Sequence, residues 1–487
     1  MVVLGVAFAV LASGWLSWLA WLEHRRSGEL FSPWLLLLVY AMFDVFVPTA
    51  IFLVLGPPEL ASWMGPVRTI PMMVAALVYL VSLGFFAAGY FALAPRSSTE
   101  ARDRWLALAS VQINVQNVYV ALAVTGAWYV AHLAKLVGQT GTLDSFVTGK
   151  FRMRFQSEPF STDTIVDLVL HQIAPAMMLG FLALVGVLFF FRHRYQRPVL
   201  WGVVLPFVAW LFTLTTFYRG SQVGYFLSLA FLESFRLRLA AARPDAGLAR
   251  RKADAAAGHH HRGAVALGLI AVAFFSLYGA YRAYNTSSAQ GIPISATQAV
   301  ADQGSEFFRG WGLISLSSII DFYPDQGHYL GGSSVVDSVL LPVPRVLWED
   351  KPQWYGIDEV TRSMGWITTS QSAVTMPGEL YANFGPVGIV LVAGFGLVFS
   401  GLHRLRFRPR VFFVYVLWVP HAVLVTQWGA STGLMNSLIL LPLALMATWF
   451  TVRPHPSPSL PSLEPPAAPA TQAAPVLVPA GAGAPPN

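Results

Sequence analysis

Cysteine is absent from this 487-residue chain. That excludes disulfides, thiolate nucleophiles and Cys-based metal sites. Charge is scarce as well: only 11% of residues are Asp, Glu, Lys or Arg, against about 25% in soluble domains. With 55% hydrophobic residues and a mean hydropathy of +0.57, a water-soluble globule is the wrong class. No Asp-x-Asp occurs anywhere, which weakens any mechanism in which a divalent metal holds a nucleotide sugar. No basic stretch precedes the first apolar run, and Arg25–Arg26 follow it. The first run therefore reads as a retained helix and not as a cleaved signal peptide. There is no convincing internal repeat.

What remains is a series of long apolar runs. In lipid each crossing segment must satisfy its own backbone, so the choice lies between helices and a closed barrel. Runs of roughly 20 residues are helix-length, twice a barrel strand. The expectation is an all-α polytopic membrane protein with about eleven spans, at 2–22, 34–55, 69–94, 106–134, 164–191, 199–217, 221–235, 264–280, 386–402, 411–427 and 434–451. The seventh is short and follows the sixth closely, so its crossing is left open. With the N-terminus outside, the inner loops 23–29, 95–105, 192–198, 236–263 and 403–410 hold 19 of the 31 Lys and Arg residues, as the positive-inside rule requires. The net charge of +7 is then mostly an orientation signal, and a nucleic-acid partner is not expected because the bases sit in short loops flanking helices.

Four regions follow: helices 1–8 over 1–280, a large outer loop over 281–385 that is partly helical, helices 9–11 over 386–453, and a tail over 454–487. Eleven of the 33 prolines fall in that tail, which predicts disorder. In the large loop, 304–320 is apolar enough for a helix lying on the membrane surface, and 324–334 reads as turns. The outer loop 135–163 interleaves Lys150, Arg152 and Arg154 with Phe151 and Phe155, as a short extended or interfacial segment does. The inner loop 236–263 carries His259–His261 within a solvated basic linker.

Several residues could carry chemistry. Arg219 lies near the outer end of the sixth span, where a guanidinium is costly unless it meets water or an anion. It is either a diphosphate clamp, its planar fork matching phosphate oxygens, or a snorkelling helix terminus. Arg345 and Lys351 sit on a proline-stiffened stretch beside Glu349 and Asp350; they offer a second phosphate contact or an internal ion pair. Glu379, in Met-Pro-Gly-Glu-Leu-Tyr, is either a general base for a sugar hydroxyl or a first-turn acid favoured by the helix dipole. Asp321, Asp325 and His328 form a further cluster; a lone His in a turn is usually neither base nor ligand, and no metal site is expected. The loop also carries fourteen aromatics, Tyr323 and Tyr381 among them. Sugar stacking and bilayer-interface packing both account for them. Inside the spans, Asp44 is the clear mid-membrane acid. Gln112, Asn114, Gln116 and Asn117 read as a polar stripe on span four, of the kind that bonds helix to helix.

The run from Arg345 through Lys351–Pro352 to Gly378-Glu379-Leu380-Tyr381-x-Asn383-Phe384-Gly385, followed by a membrane helix, resembles the Wzy-type oligosaccharide repeat-unit (O-antigen) polymerases. The Arg219–Gly220 pair is similar to an Arg-Gly pair in that family. The likeness is strongest over about 305–390 and weaker around 215–225. It implies a GT-C-like fold and a metal-independent glycosyltransferase without cofactor in the bacterial inner membrane, its site on the periplasmic face. The implied reaction moves a growing glycan from undecaprenyl diphosphate onto a new lipid-linked repeat unit. The implied partners are that lipid-linked oligosaccharide, membrane lipid, a chain-length regulator and a flippase. On this resemblance Arg219 and Arg345 hold the diphosphate, Arg152, Arg154 and Lys351 add secondary contacts, Tyr323 and Tyr381 contact glycan, and Glu379 is the base, with Asp321 and His328 in reserve. An O-antigen ligase, sharing substrates and topology, and a lipid-linked oligosaccharide flippase or other transporter are the alternatives. Transporters place paired ionisable groups inside the bilayer, whereas here charge gathers outside it.

Overall fold

A computed structural model describes residues 2–27, 32–55, 68–93, 111–140, 165–214, 219–241, 310–340, 356–365, 374–406, 408–426, 429–435 and 441–453, with isolated positions at 277–298 and 348. The chain is helical almost throughout these residues. Six helices are long and apolar enough to cross a membrane, and two shorter apolar helices, Leu200–Thr213 and Pro409–Val423, accompany them. The expected span at 264–280, the inner loop with His259–His261 and the tail lie outside the described residues, apart from isolated positions.

In chain order, α1 is Val2–Ser27 and α2 is Pro33–Ala41, which widens into a π turn at Met42–Phe46 before α3, Val47–Leu55. Pro48 explains the widening. It has no N–H for the Asp44 carbonyl four residues back, and its ring crowds that carbonyl. A second π turn, Leu200–Val204, stands in the same relation to Pro206 and leads into α7, Leu205–Leu214. Between them come α4 (Thr69–Leu93), β1 (Gln112–Ile113), α5 (Val115–Thr140) and α6 (Ile165–Phe191). α8, Arg219–Ala241, runs 23 residues, so the segment read as a short seventh span is about 34 Å long at 1.5 Å per residue.

From Ile173 to Phe191 α6 is apolar on every side, and such a helix belongs inside a bundle. Ala183, Leu184, Val185, Val187 and Leu188 are indeed buried, and α6 packs against α5, α7, α8 and, later in the chain, α14 (Pro409–Thr426) and α16 (Leu441–Trp449). α4 pairs with α13, Val392–Leu405. A side chain at Gly89 would land on the Ala393 carbonyl oxygen and one at Gly396 on that of Phe86. The two backbones touch, the close approach that small residues permit in lipid.

At one end of the bundle β1 pairs antiparallel with β2, Val452–Arg453. Arg194 Nη1 donates to the Val111 carbonyl at 2.9 Å and Arg192 Nη2 meets Glu233 Oε2 at 2.7 Å. Residues 111–114, 192–197, 233–236, 410 and 448–453 are thus tied together at one end of the bundle, where the charge distribution places the inner turns 192–198 and 403–410.

Four sequence expectations change. α5 begins only at Val115, so the polar stripe is a helix start: Asn114 Oδ1 accepts from the Asn117 N–H at 3.1 Å, and Asn117 Nδ2 reaches the Phe450 carbonyl. Gln112 lies in β1. The apolar stretch near 304–320 is not a surface helix; it forms α9, Trp311–Gln326, buried against α4 with Leu313, Ile314, Leu316 and Ile319 inside. The turns expected from 324 begin at Gly327, whose φ of +70° ends α9. Finally, the ninth span starts ten residues early. α12 (Met376–Phe384), a 3-10 stretch (Gly385–Leu391) and α13 form one continuous run, with Glu379 in its first turn.

Candidate functional site

Three short helices complete the polar end of the molecule: α10 (Ser333–Val339), α11 (Ile357–Ser363) and α15 (Ala430–Met435). They converge with α9 and α12. Gly331, Gly332 and Gly356 have φ of +65°, +98° and +63°, a region open to glycine without steric cost. Gly356 is needed for space too, since a Cβ there would lie 2.7 Å from Ser338 Oγ and 2.8 Å from Ser431 Oγ.

Glu379 is at the centre of this convergence and is fully buried. Ser334 Oγ donates to its Oε1 at 2.8 Å, the Ser431 N–H donates to Oε2 at 3.0 Å, and the Ala430 N–H faces the same carboxylate. Asn383 Nδ2 closes the network, donating to Ser334 Oγ and to the Glu379 carbonyl, each at 2.7 Å. The acid sits in the first turn of its own helix but spends its oxygens on the start of α15, the group of orphan N–H donors that every helix leaves. Thr375, just upstream, has φ +61°. A β-branched residue there is strained by about 1–3 kcal/mol. Its hydroxyl accepts from the Gly378 N–H at 3.1 Å, which caps α12 and fixes the direction in which Glu379 leaves the backbone.

A second group lies alongside. Tyr323 on α9 stacks on Tyr329 with centroids 6.1 Å apart at 11°, and Tyr329 meets Tyr381 of α12 edge-on at 6.1 Å and 85°. The Tyr323 hydroxyl is 2.6 Å from Ser363 Oγ of α11. One turn back on α11, Glu359 Oε1 accepts from Ser333 Oγ at 2.6 Å, while Oε2 is closed off from solvent and has no hydrogen-bond partner among the described residues. Burial raises the Glu359 carboxyl above its ordinary range, and the negative charge of Asp337 on α10 adds to that. Asp337 is itself raised by burial. Burial pushes the Tyr323 phenol up to about 12, with the Glu359 charge adding and the Ser363 bond opposing.

Of the residues singled out in the sequence, the structure brings Tyr323 and Tyr381 together through Tyr329 and buries Glu379 against α10 and α15. Asp321 reaches only Arg68, at 3.7 Å on an exposed surface, a pairing worth little. His328 is exposed and its Nδ1 lies 3.0 Å from the Gln326 carbonyl. Arg219 opens α8. Arg152, Arg154, Arg345 and Lys351 lie outside the described residues. Among the described residues no three His, Asp or Glu side chains form a metal-holding group. Ser333, Ser334 and Glu359 have no role assigned from the sequence, and Asn383 enters it only within the Gly378–Gly385 run, because their partners are 26 to 49 residues away in the chain.

No protein-family model, curated protein or solved structure matches this chain.

Proposed function

We propose that this protein is an integral-membrane glycosyltransferase that polymerises undecaprenyl-diphosphate-linked oligosaccharide repeat units, without metal or cofactor. The observation that carries the reading is the union of a tyrosine cluster and a half-buried carboxylate at one end of a bundle of membrane-length helices. A lipid-linked sugar asks for both media at once: an apolar groove for the polyprenyl tail, and aromatic faces with polar groups for the glycan. The reading takes about eleven spans in a GT-C-like arrangement in a bacterial inner membrane. The Arg-rich turns face the cytoplasm and the tyrosine cluster faces the periplasm.

The anomeric carbon of such a donor already bears a good leaving group. The protein must offset charge developing on the diphosphate and take a proton from the acceptor hydroxyl. Arg219 and Arg345 are assigned to the diphosphate, with Arg152, Arg154 and Lys351 as secondary contacts and Tyr323 and Tyr381 on the glycan side. Asp321 and His328 line the rim of the same end. Glu379, with both oxygens engaged and no access to solvent, is assigned to holding α10, α12 and α15 together.

The test is turnover by purified protein of polyprenyl-diphosphate-linked repeat unit extracted from the host cell's own membranes, with no metal or nucleotide sugar added. A glycan ladder that disappears in Arg219→Ala is the expected result. Glycan found on a lipid A core would indicate a ligase, and translocation without elongation a transporter; either outcome overturns the reading.

A further inference from the structure

Two carboxylates stand at the polar end in opposite circumstances. Glu379 has every oxygen occupied by a protein donor. Glu359 does not: Ser333 Oγ holds Oε1 at 2.6 Å, and Oε2 is a buried acceptor with nothing among the described residues donating to it. A carboxylate offers about four acceptor positions, and leaving a buried one empty costs free energy unless function uses it. Oε2 itself is closed off from solvent, but the side chain as a whole is only part-buried, so a turn of this one carboxylate brings the free oxygen to a hydroxyl arriving from outside. The groups around it suit a sugar. Tyr323, its hydroxyl tied to Ser363 on the same helix as Glu359, backs the ring of Tyr329, and Tyr329 is exposed.

We propose that Glu359 is the general base that takes the proton from the acceptor sugar's hydroxyl, and that Tyr329, backed by Tyr323 and Tyr381, is the face on which that sugar rests. This rests on the glycosyl-transfer reading above. In the step, the hydroxyl oxygen forms its bond to the donor's anomeric carbon while the bond from that carbon to the diphosphate oxygen breaks. The electron pair leaves with undecaprenyl diphosphate. The hydroxyl proton passes to Glu359 Oε2 and later to water. Ser333 keeps the other oxygen in place and so orients the free one. Asp337 on α10, Tyr323 on α9 and Asp358 and Arg362 on α11 are the other titratable or charged groups near this carboxyl. Burial and the Asp337 charge strengthen its hold on a proton, and the Ser333 bond opposes them.

The experiment compares wild type, Glu359→Gln and Glu359→Ala on the membrane-extracted polyprenyl-diphosphate-linked repeat unit, with thermal melts run in parallel. The expected result is that Glu359→Gln melts no lower than wild type and loses turnover on the order of 10²–10⁴-fold. Added formate restores part of the activity of Glu359→Ala, which a merely structural residue does not allow. Tyr329→Ala raises KM for the acceptor more than it lowers kcat. If wild type elongates and Glu359→Gln does so equally well, the assignment of the base is wrong while the polymerase reading stands. If wild type gives no ladder, both fall. Should Glu359→Gln fail to fold, Glu359→Asp, which keeps the charge on a shorter arm, is expected to fold and to retain an intermediate rate; an unchanged rate there overturns the assignment as well.

Discussion

Replacing Glu379 separates a general base from an anchor that holds α10, α12 and α15 together. Three protein donors converge on its carboxylate: Ser334 Oγ, the Ser431 N–H and the Ala430 N–H. In Glu379→Ala all three stay buried and lose their acceptor, at about 1–3 kcal/mol each. Even at the low end of that range the sum is about 3 kcal/mol, before any cavity is counted. Glu379→Gln is different. The amide oxygen can serve Ser431, and the NH₂ can turn to Ser334, whose hydroxyl is able to accept as well as donate. The loss there should be about 1 kcal/mol. Thermal melts in detergent, followed by the fluorescence of the 16 tryptophans, should therefore rank wild type just above Glu379→Gln and well above Glu379→Ala. Elongation by Glu379→Gln should stay within a few-fold of wild type. A Glu379→Gln protein that melts like wild type but does not turn over would refute the anchoring role and return the general base to this residue. So would a Glu379→Ala protein as stable as wild type.

Three further outcomes follow from contacts elsewhere. Gly396→Val drives a side chain into the Phe86 carbonyl across the α4–α13 seam and should abolish folded, monodisperse protein in size-exclusion chromatography. Gly312→Ala gains about 1 kcal/mol of helix propensity, but its Cβ lands on an Asp44 carboxylate oxygen and 2.9 Å from Thr375 Cγ2; a net loss of about 1–3 kcal/mol should appear as a lower melting temperature. Glu359 and Asp337 both hold their protons more tightly folded than unfolded, because burial disfavours their charged forms. Their favourable contribution is thus complete below the ordinary carboxylate range and is lost as pH rises through the raised values. Glu359→Gln should melt above wild type at pH 7, and the difference should vanish near pH 4.

Most of the helical architecture was legible in residue type and run length. Apolar runs of spanning length have few other ways to exist in lipid, and α1, α4, α6 and α14 begin and end within a few residues of the hydropathy limits. What could not be read is where polar segments fold back. Trp311–Gln326 has the composition of an interfacial helix, yet tertiary contact with α4 decides its burial. Glu379 was legible as an important acid because of its Pro-Gly break. Its partners were not, for Ser334 and Ser431 lie 45 and 52 residues away and no spacing rule joins them. Glu359 is one of several acids in a charged stretch, and nothing in the sequence gives it a role of its own. Its distinguishing property, one satisfied oxygen and one empty, exists only after three short helices have assembled.

Asp44 brings the same lesson to a choice between functions. It is the twelfth of the 22 residues in the span Pro33–Val54, and an acid at that depth is by default a candidate for ion or proton movement. Its surroundings suggest a different task. The Tyr40 hydroxyl and the Gly312 N–H are set against its carboxylate, whose Oδ2 is buried with no hydrogen-bond partner among the described residues. Gly312 belongs to the first turn of α9, whose N-terminus has no side-chain cap of its own. α9 therefore starts against the middle of a span, and Asp44, re-aimed by the π turn ahead of Pro48, supplies the missing cap from another helix. A cap requires an acceptor oxygen and not a proton cycle. Asp44→Asn should therefore keep both folding and elongation close to wild type, while Asp44→Leu should cost about 1–2 kcal/mol and loosen α9 from its site. A proton- or cation-coupled transporter predicts the reverse for Asp44→Asn, a stable protein with no activity. Turnover and melting measured on that single neutral variant decide between the two.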